Sequence, residues 1–290
     1  MFSKLVFMKY WSSILYGFLL VGLITSCGTT IDLSQKSDDS AKPAQSVSDR
    51  KLNDIALNGK VYAAIWQQNA GEFKALCHQA YNIATKIVEE KSKLQHLRPI
   101  AIVTDIDETI LDNSPYAVKQ AELGNEFDLD SWLEWTSKGE AVAYPGALAF
   151  FKFAASQNVH IFYISNRNEN DKSGTLKNLK ELGFPFADEA HVLVMKDTSN
   201  KEARRKVVLK DFEVFMYLGD NLADFSEVFY KKPQEERNQV VEDLSKEFGE
   251  KFIVLPNSGY GDWESAMPGY DYILTPQQKD KVILENLNSY

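Results

Sequence analysis

The sequence predicts an α/β fold: a parallel sheet with helices packed on both of its faces. Two observations carry that prediction. Five short apolar runs of buried-strand type recur along the chain and alternate with segments of helical period, the pattern of strands joined by crossover helices. Polar and charged residues collect directly after those runs, where the carboxyl ends of parallel strands share one edge. The composition agrees. A chain of 290 residues, 44% hydrophobic and 25% charged, is ordinary for a globular protein and excludes collagen, coiled coil and wholesale disorder.

In chain order, Leu52–Leu94 reads as helical, with Phe73, Leu76, Cys77, Ala80, Tyr81, Ala84 and Ile87 three and four apart. Pro99 closes that stretch. Ile100–Thr104 is the first strand run, and Asp105 and Asp107 follow it. Val159–Ile164 is the second, followed by Ser165, Asn166 and Arg167 and then by a helical Lys172–Leu182 that Gly183 ends. His191–Met195 is the third, ahead of Lys196, Lys201 and a helical Ser199–Lys210. Val214–Leu218 is the fourth, ahead of Asp220 and Asp224, and Phe252–Leu255 the fifth, ahead of Pro256. His160 and His191 fall inside strand runs and read as interior side chains, as Cys77 reads as a buried thiol.

Three stretches make up the domain organisation. Residues 1–26 carry Lys4 and Lys9 ahead of an apolar run from Ile14 to Ile24, the order of a secretory signal. Leu23-Ile24-Thr25-Ser26-Cys27 resembles a bacterial lipobox, which implies lipidation of Cys27, palmitate included, and a membrane anchor in the bacterial cell envelope, the outer membrane ahead of the inner; a plain signal peptide with a chance cysteine and an uncleaved anchor are the alternative readings. Residues 27–50 are rich in Ser, Asp, Thr and Lys and read as a flexible tether. Residues 51–290 form the soluble domain. The net charge of -9 excludes a binder of nucleic-acid polymers, which needs a basic face.

The chemistry follows from what the shared edge brings together: Asp105, Asp107, Asp220, Asp224, a serine and a lysine. Crowded carboxylates resist ionising unless a cation neutralises them, and oxygen ligands of this kind suit Mg²⁺. Hydroxyl and ammonium groups opposite the metal suit phosphate oxygens, and a carboxylate not consumed by the metal can attack phosphorus. The chain has no G-x-x-x-x-G-K-[ST] loop, so the site is one for phosphoryl transfer without that loop.

Asp105-Ile106-Asp107-Glu108-Thr109 resembles the D-x-D-x-T signature of the haloacid dehalogenase-like phosphatases. The longer run from Val103 to Tyr116, the run from Met216 to Phe225, the helix around Trp66–Cys77 and the segment Pro256–Glu264 are similar to the class C acid phosphatases, the lipoprotein e 5′-nucleotidase family. The resemblance implies a haloacid dehalogenase-like, Rossmann-type sheet with a small helical cap region and a Mg²⁺-dependent acid phosphatase acting on nucleoside 5′-monophosphates. It implies that Asp105 is nucleophile and metal ligand. Asp107 becomes the general acid and base, binding the metal through its backbone carbonyl, and Asp220 and Asp224 complete the metal site. Ser165 and the Asn166 amide hold phosphate oxygens, aided by a lysine for which Lys201 fits the family pattern better than Lys196. Phe127 and Tyr260 match the rings that sandwich the base, although Phe127 also suits a core position near Trp132 and Trp135. Arg167 and Asn113 suit either a role in positioning the carboxylates or a structural one. Thr104 and Phe215 depart from the family pattern on the strand side. A non-enzymatic haem-binding or adhesion lipoprotein, and a phosphotransferase on the same fold, are the alternative readings; the oligomeric state stays open, a dimer included.

Overall fold

The computed structural model describes residues 54–290. The signal stretch 1–26, the lipidation site Cys27 and the tether 27–50 lie outside the described residues. No helix among the described residues is long and apolar enough to cross a membrane.

The helical stretch at the start is two helices, α1 (Ile55–Asn69) and α2 (Gly71–Lys91), where the sequence suggested one continuous region. Ala70 takes an extended conformation between them, φ −76° and ψ 130°. The break lets the two helices serve different neighbours: α1 packs on α3 (Ser114–Leu123) and α10 (Pro276–Glu285), whereas α2 lies on α5 (Ala147–Ser156) and the last strand. The α2 stripe is as read, except that Leu76 faces solvent and Val88 joins the core.

The sheet is parallel throughout, ordered β5 (Val192–Met195), β4 (His160–Asn168), β1 (Ile100–Thr104), β6 (Glu213–Gly219), β7 (Phe252–Val254). All five residues of β1 are buried, as a central strand covered on both faces requires. Its side chains alternate between two cores. Ile100 and Ile102 join the larger one under α2 and α5, and Ala101 and Val103 face the smaller one with Phe162, Val208 and Phe252. β4 runs farther than its apolar stretch suggests, so that Ser165, Asn166 and Arg167 belong to the strand itself. A two-stranded ribbon, β2 (Leu111–Asp112) and β3 (Val142–Ala143), with α3 and α4 (Leu129–Lys138), forms the small helical cap region. Helices α6 (Lys172–Leu182) and α7 (Glu202–Asp211) cross between strands, α8 (Gln234–Asp243) precedes β7, and α9 (Asp262–Ala266) follows it. Gly174 lets α6 approach α4, since a Cβ there would lie 2.3 Å from the Thr136 carbonyl oxygen.

His160 opens β4, whereas His191, expected inside a strand, lies in the turn just before β5; their rings stack 5.9 Å apart and both touch Phe186. Cys77 is fully buried, and burial pushes its thiol up to about 12.

Candidate active site

Chain order reverses at β1, with β4 on one side and β6 on the other, and the crevice beyond their carboxyl ends is where an open parallel sheet binds ligands. Asp105 is the first residue past β1, its backbone N–H donating to the Leu218 carbonyl at 2.9 Å. Asp220 follows β6 and accepts from Asn257 Nδ2 at 2.8 Å and from Thr109 Oγ1 at 3.2 Å. Asp224 closes a one-turn helix over the same strand end, its carboxylate accepting the Asn221 N–H at 3.0 Å. A Cβ on Gly219 would lie 2.5 Å from Asp224, so this carboxylate reaches its position because residue 219 has no side chain.

Lys201 reaches back from the residue before α7. Its ammonium bonds Asp105 and stands 2.6 Å from Asp224 Oδ1, with 5% of the side chain exposed. Arg205, one turn along, donates to the carbonyls of Ala223 at 2.9 Å and Asp224 at 3.0 Å, which fastens α7 to the Asp224 turn. Lys196, the other lysine of that run, is 75% exposed and faces Glu169 at 3.9 Å.

Three carboxylates around one ammonium leave the crevice short of positive charge. Burial, with Lys201 opposing it and Asp224 and Asp107 adding to it, raises Asp105 to about 7. Asp220 is pushed well above the carboxylate range by burial and by the negative charges of Asp224 and Asp105. Burial works against the Lys201 ammonium, yet Asp105 and Asp224 more than offset it and hold its pKa above the ordinary lysine value. Asp105, Asp220 and Asp224 each offer an oxygen, all within 4.8 Å of one another. Buried, under-neutralised, oxygen-only donors fit a small hard divalent cation.

The Asp107 side chain is held outside that cluster. Arg167 grips it through Nη2 at 2.8 Å and Nε at 3.0 Å, Asn113 Nδ2 donates at 2.8 Å, and Ser165 Oγ at 3.2 Å. Ser165 Oγ in turn accepts the Arg167 N–H at 3.0 Å, so the hydroxyl is engaged with its own neighbours. Asn166 is exposed at the cavity, its Oδ1 accepting from Arg204 Nη2 at 2.7 Å. Trp135 Nε1 fixes Asn113 at 2.9 Å.

Above this floor opens a cavity of about 540 Å³. Phe127 and Tyr260 line it, 64% and 41% exposed. Phe127 precedes α4 and leans on Tyr116 and Trp132 with ring centroids 6.3 and 6.1 Å away, so it lies on the cavity wall and not in the core. The Tyr260 hydroxyl donates to Glu108, whose other oxygen accepts the Asn113 N–H at 2.8 Å. Burial and the charge of Asp107 push Glu108 up to about 8.

Sequence reasoning passed over Glu108, Asn257, Arg204 and Gly219. Glu108 occupies a variable position of the five-residue signature, and its φ of +54°, where the loop turns back on itself, has no counterpart in the sequence. Nothing in the sequence pairs Asn257 or Arg204 with residues so distant along the chain. Thr104 Oγ1 donates to the Asp105 carbonyl at 2.8 Å, and Phe215 packs against the larger core, so both departures stay on the strand side.

Carboxylates, one ammonium and a capacious cavity at the edge of a doubly wound sheet define a phosphoryl-transfer class of site. The chain belongs to the acid phosphatase family described as HAD superfamily, subfamily IIIB, which it matches over residues 29–263. It is similar to the structure of the class C acid phosphatase from Bacillus anthracis, at 39% identity and a TM-score of 0.78, over 81% of this chain and 100% of that one. The same protein with tungstate bound matches at 39% identity and 0.78, over 82% and 99%. The stem 31 kDa glycoprotein of Glycine max is 30% identical over 125 residues, 41% of this chain and 49% of that protein. The chain spans about half the length of the curated relatives it matches.

Proposed function

We propose that this chain is a Mg²⁺-dependent acid phosphatase that hydrolyses phosphomonoesters, nucleoside 5′-monophosphates among them, outside the cytoplasm. The observation that carries the reading is the cluster of Asp105, Asp220 and Asp224 around Lys201 on the floor of a cavity with two exposed aromatic rings on its walls. The relative with tungstate bound supports it, since tungstate is a tetrahedral oxyanion of phosphate shape.

In this reading a carboxylate oxygen of Asp105 attacks phosphorus, the ester P–O bond breaks, and Asp107 gives its proton to the departing oxygen. Asp107 then takes a proton from water, whose oxygen attacks phosphorus. The bond to Asp105 breaks, and orthophosphate leaves. Arg167 and Asn113 hold Asp107 in place for both transfers, and Lys201 balances the negative charge of the Asp105 carboxylate before it attacks. Ser165 and Asn166 lie at the crevice where phosphate oxygens would come to rest, with Ser165 exchanging its bond to Asp107 for one to phosphate. Asp105, Asp220, Asp224 and the Asp107 carbonyl would hold Mg²⁺, which when bound neutralises carboxylate and phosphate charge together. Phe127 and Tyr260 offer π-faces to a base irrespective of its identity. Lipidation of Cys27 anchors the chain to the cell envelope, where it releases nucleosides that cross membranes more readily than their charged phosphates.

The test is phosphate release from a panel of nucleoside monophosphates and small esters, with and without chelator. Chelator-sensitive release that favours nucleotides is expected; release indifferent to both chelator and base would overturn the reading. Mass spectrometry of the chain from membranes is expected to show a diacylated or triacylated Cys27 at its start, and an unmodified Cys27 would remove the anchor.

A further inference from the structure

Lys60 lies on α1, far in sequence from every motif named above, and lines the same cavity. Its Nζ donates to the Gly259 carbonyl at 3.2 Å and to Glu264 Oε2 at 3.0 Å, and it stands 3.6 Å from Glu126 Oε2. Gly259 directly precedes Tyr260, and Glu126 directly precedes Phe127. One ammonium therefore ties the backbone beside one exposed ring to the side chain beside the other. Only 14% of the Lys60 side chain is exposed. Its hydrogen bonds go to the Gly259 carbonyl and to both oxygens of Glu264, and Glu126 faces it as an ion pair, so the ammonium is engaged within the protein.

The helix carrying Lys60 is itself fixed. Gln67 Nε2 donates to Asp112 at 2.7 Å and Gln68 Nε2 to Ser114 Oγ at 2.9 Å, so α1 is bonded to the segment that follows the Asp105–Asp107 loop. Glu126 is held from its other side by Lys279 on α10. The two rings otherwise sit on separate stretches of chain, Phe127 ahead of α4 and Tyr260 in the loop after β7.

We infer that Lys60 is a positioning residue that sets the separation of Phe127 and Tyr260, and through it the preference of the site for phosphomonoesters whose leaving group carries a flat aromatic ring. This rests on the proposed reading that those two rings stack on the substrate. A ring pair gains its stacking contact when both faces lie at van der Waals distance from the base. A free loop on either side surrenders part of that contact and pays conformational entropy on each binding event.

The experiment compares kcat/KM for a nucleoside 5′-monophosphate with that for glycerol phosphate, which has no ring. In Lys60→Met the ratio of the two is expected to fall about threefold to tenfold, part of the roughly 5- to 150-fold that a whole stacking contact commands. The loss falls on KM for the nucleotide. Lys60→Arg, which keeps the charge, restores most of the ratio, and a merely structural lysine would not give that split. Glu126→Gln loosens the Phe127 side alone and lowers the ratio by less, which keeps the test open should Lys60→Met fold poorly. If Tyr260→Ala lowers the ratio and neither Lys60→Met nor Glu126→Gln does, the inference is overturned while the stacking reading stands. If Tyr260→Ala and Phe127→Ala also leave it unchanged, the stacking reading fails and takes the inference with it.

Discussion

The floor and the mouth of the cavity are built on opposite principles. On the floor, Asp105, Asp220, Asp224 and Lys201 project from strand ends and a helix start, nearly all buried, and each is fixed by the backbone geometry of the sheet. At the mouth, Phe127 and Tyr260 are exposed on loops, held in place by partly buried ion pairs through Lys60, Glu126, Glu264 and Lys279. Fully buried charges interact strongly and tolerate little displacement, whereas pairs nearer to solvent contribute less each and adjust more readily. The contrast separates the reaction, which needs fixed atoms, from the choice of substrate, which needs only a surface of the right shape.

Substitutions sharpen that contrast in order of size. Asp105→Asn is expected to lower kcat at least about a thousandfold, roughly 4 kcal/mol, with the fold retained by circular dichroism; retention of a tenth of the activity would remove Asp105 as nucleophile. Lys201→Met leaves Asp105 and Asp224 facing each other without their shared cation. A stability loss of about 3–5 kcal/mol is expected, roughly 6–20 °C in Tm by calorimetry, recovered in part by divalent cation. A Tm unmoved by the change would show that the floor is more open to water than its burial says.

Effects at the mouth are smaller and fall on binding. Tyr260→Ala is expected to raise KM for a nucleoside monophosphate about 5- to 150-fold while kcat changes little, because uniform binding is lost. A collapse of kcat alone would move Tyr260 from the mouth to the floor. Tyr260→Phe keeps the ring and removes only its bond to Glu108, so the same KM should rise by about 2- to 12-fold, the worth of one hydrogen bond. An effect as large as that of Tyr260→Ala would mean that the hydroxyl, not the ring, is what matters.

The floor was largely legible from the sequence because its residues obey short-range rules. Asp105 and Asp220 come at the ends of runs of apolar residues, with Asp224 one short turn after Asp220, and a parallel sheet brings such strand ends to one edge whatever the loops between them do. Lys201 was legible through the family pattern, which it fits better than Lys196, although the helix the sequence suggested from Ser199 begins only at Glu202. The mouth was less so. Phe127 could be read as core as easily as wall, since spacing to Trp132 and Trp135 does not say where α4 begins. Lys60 carried no signal, because its partners lie 66 to 204 positions along the chain and only the folded arrangement of α1 brings them near. The break at Ala70 was hidden for a related reason: period alone does not register a single extended residue between two helices.

Gly219 has a consequence for how this site can vary. The space that its missing Cβ vacates is taken by the Asp224 side chain, whose Cβ, Cγ and Oδ2 are the three atoms nearest to it. Alanine there would leave every ligand of the cluster in the sequence and yet displace one of them. A search for inactive relatives that inspects only the aspartates would count such a chain as intact, and a library that holds the aspartates constant would lose function at a residue bearing no functional group at all.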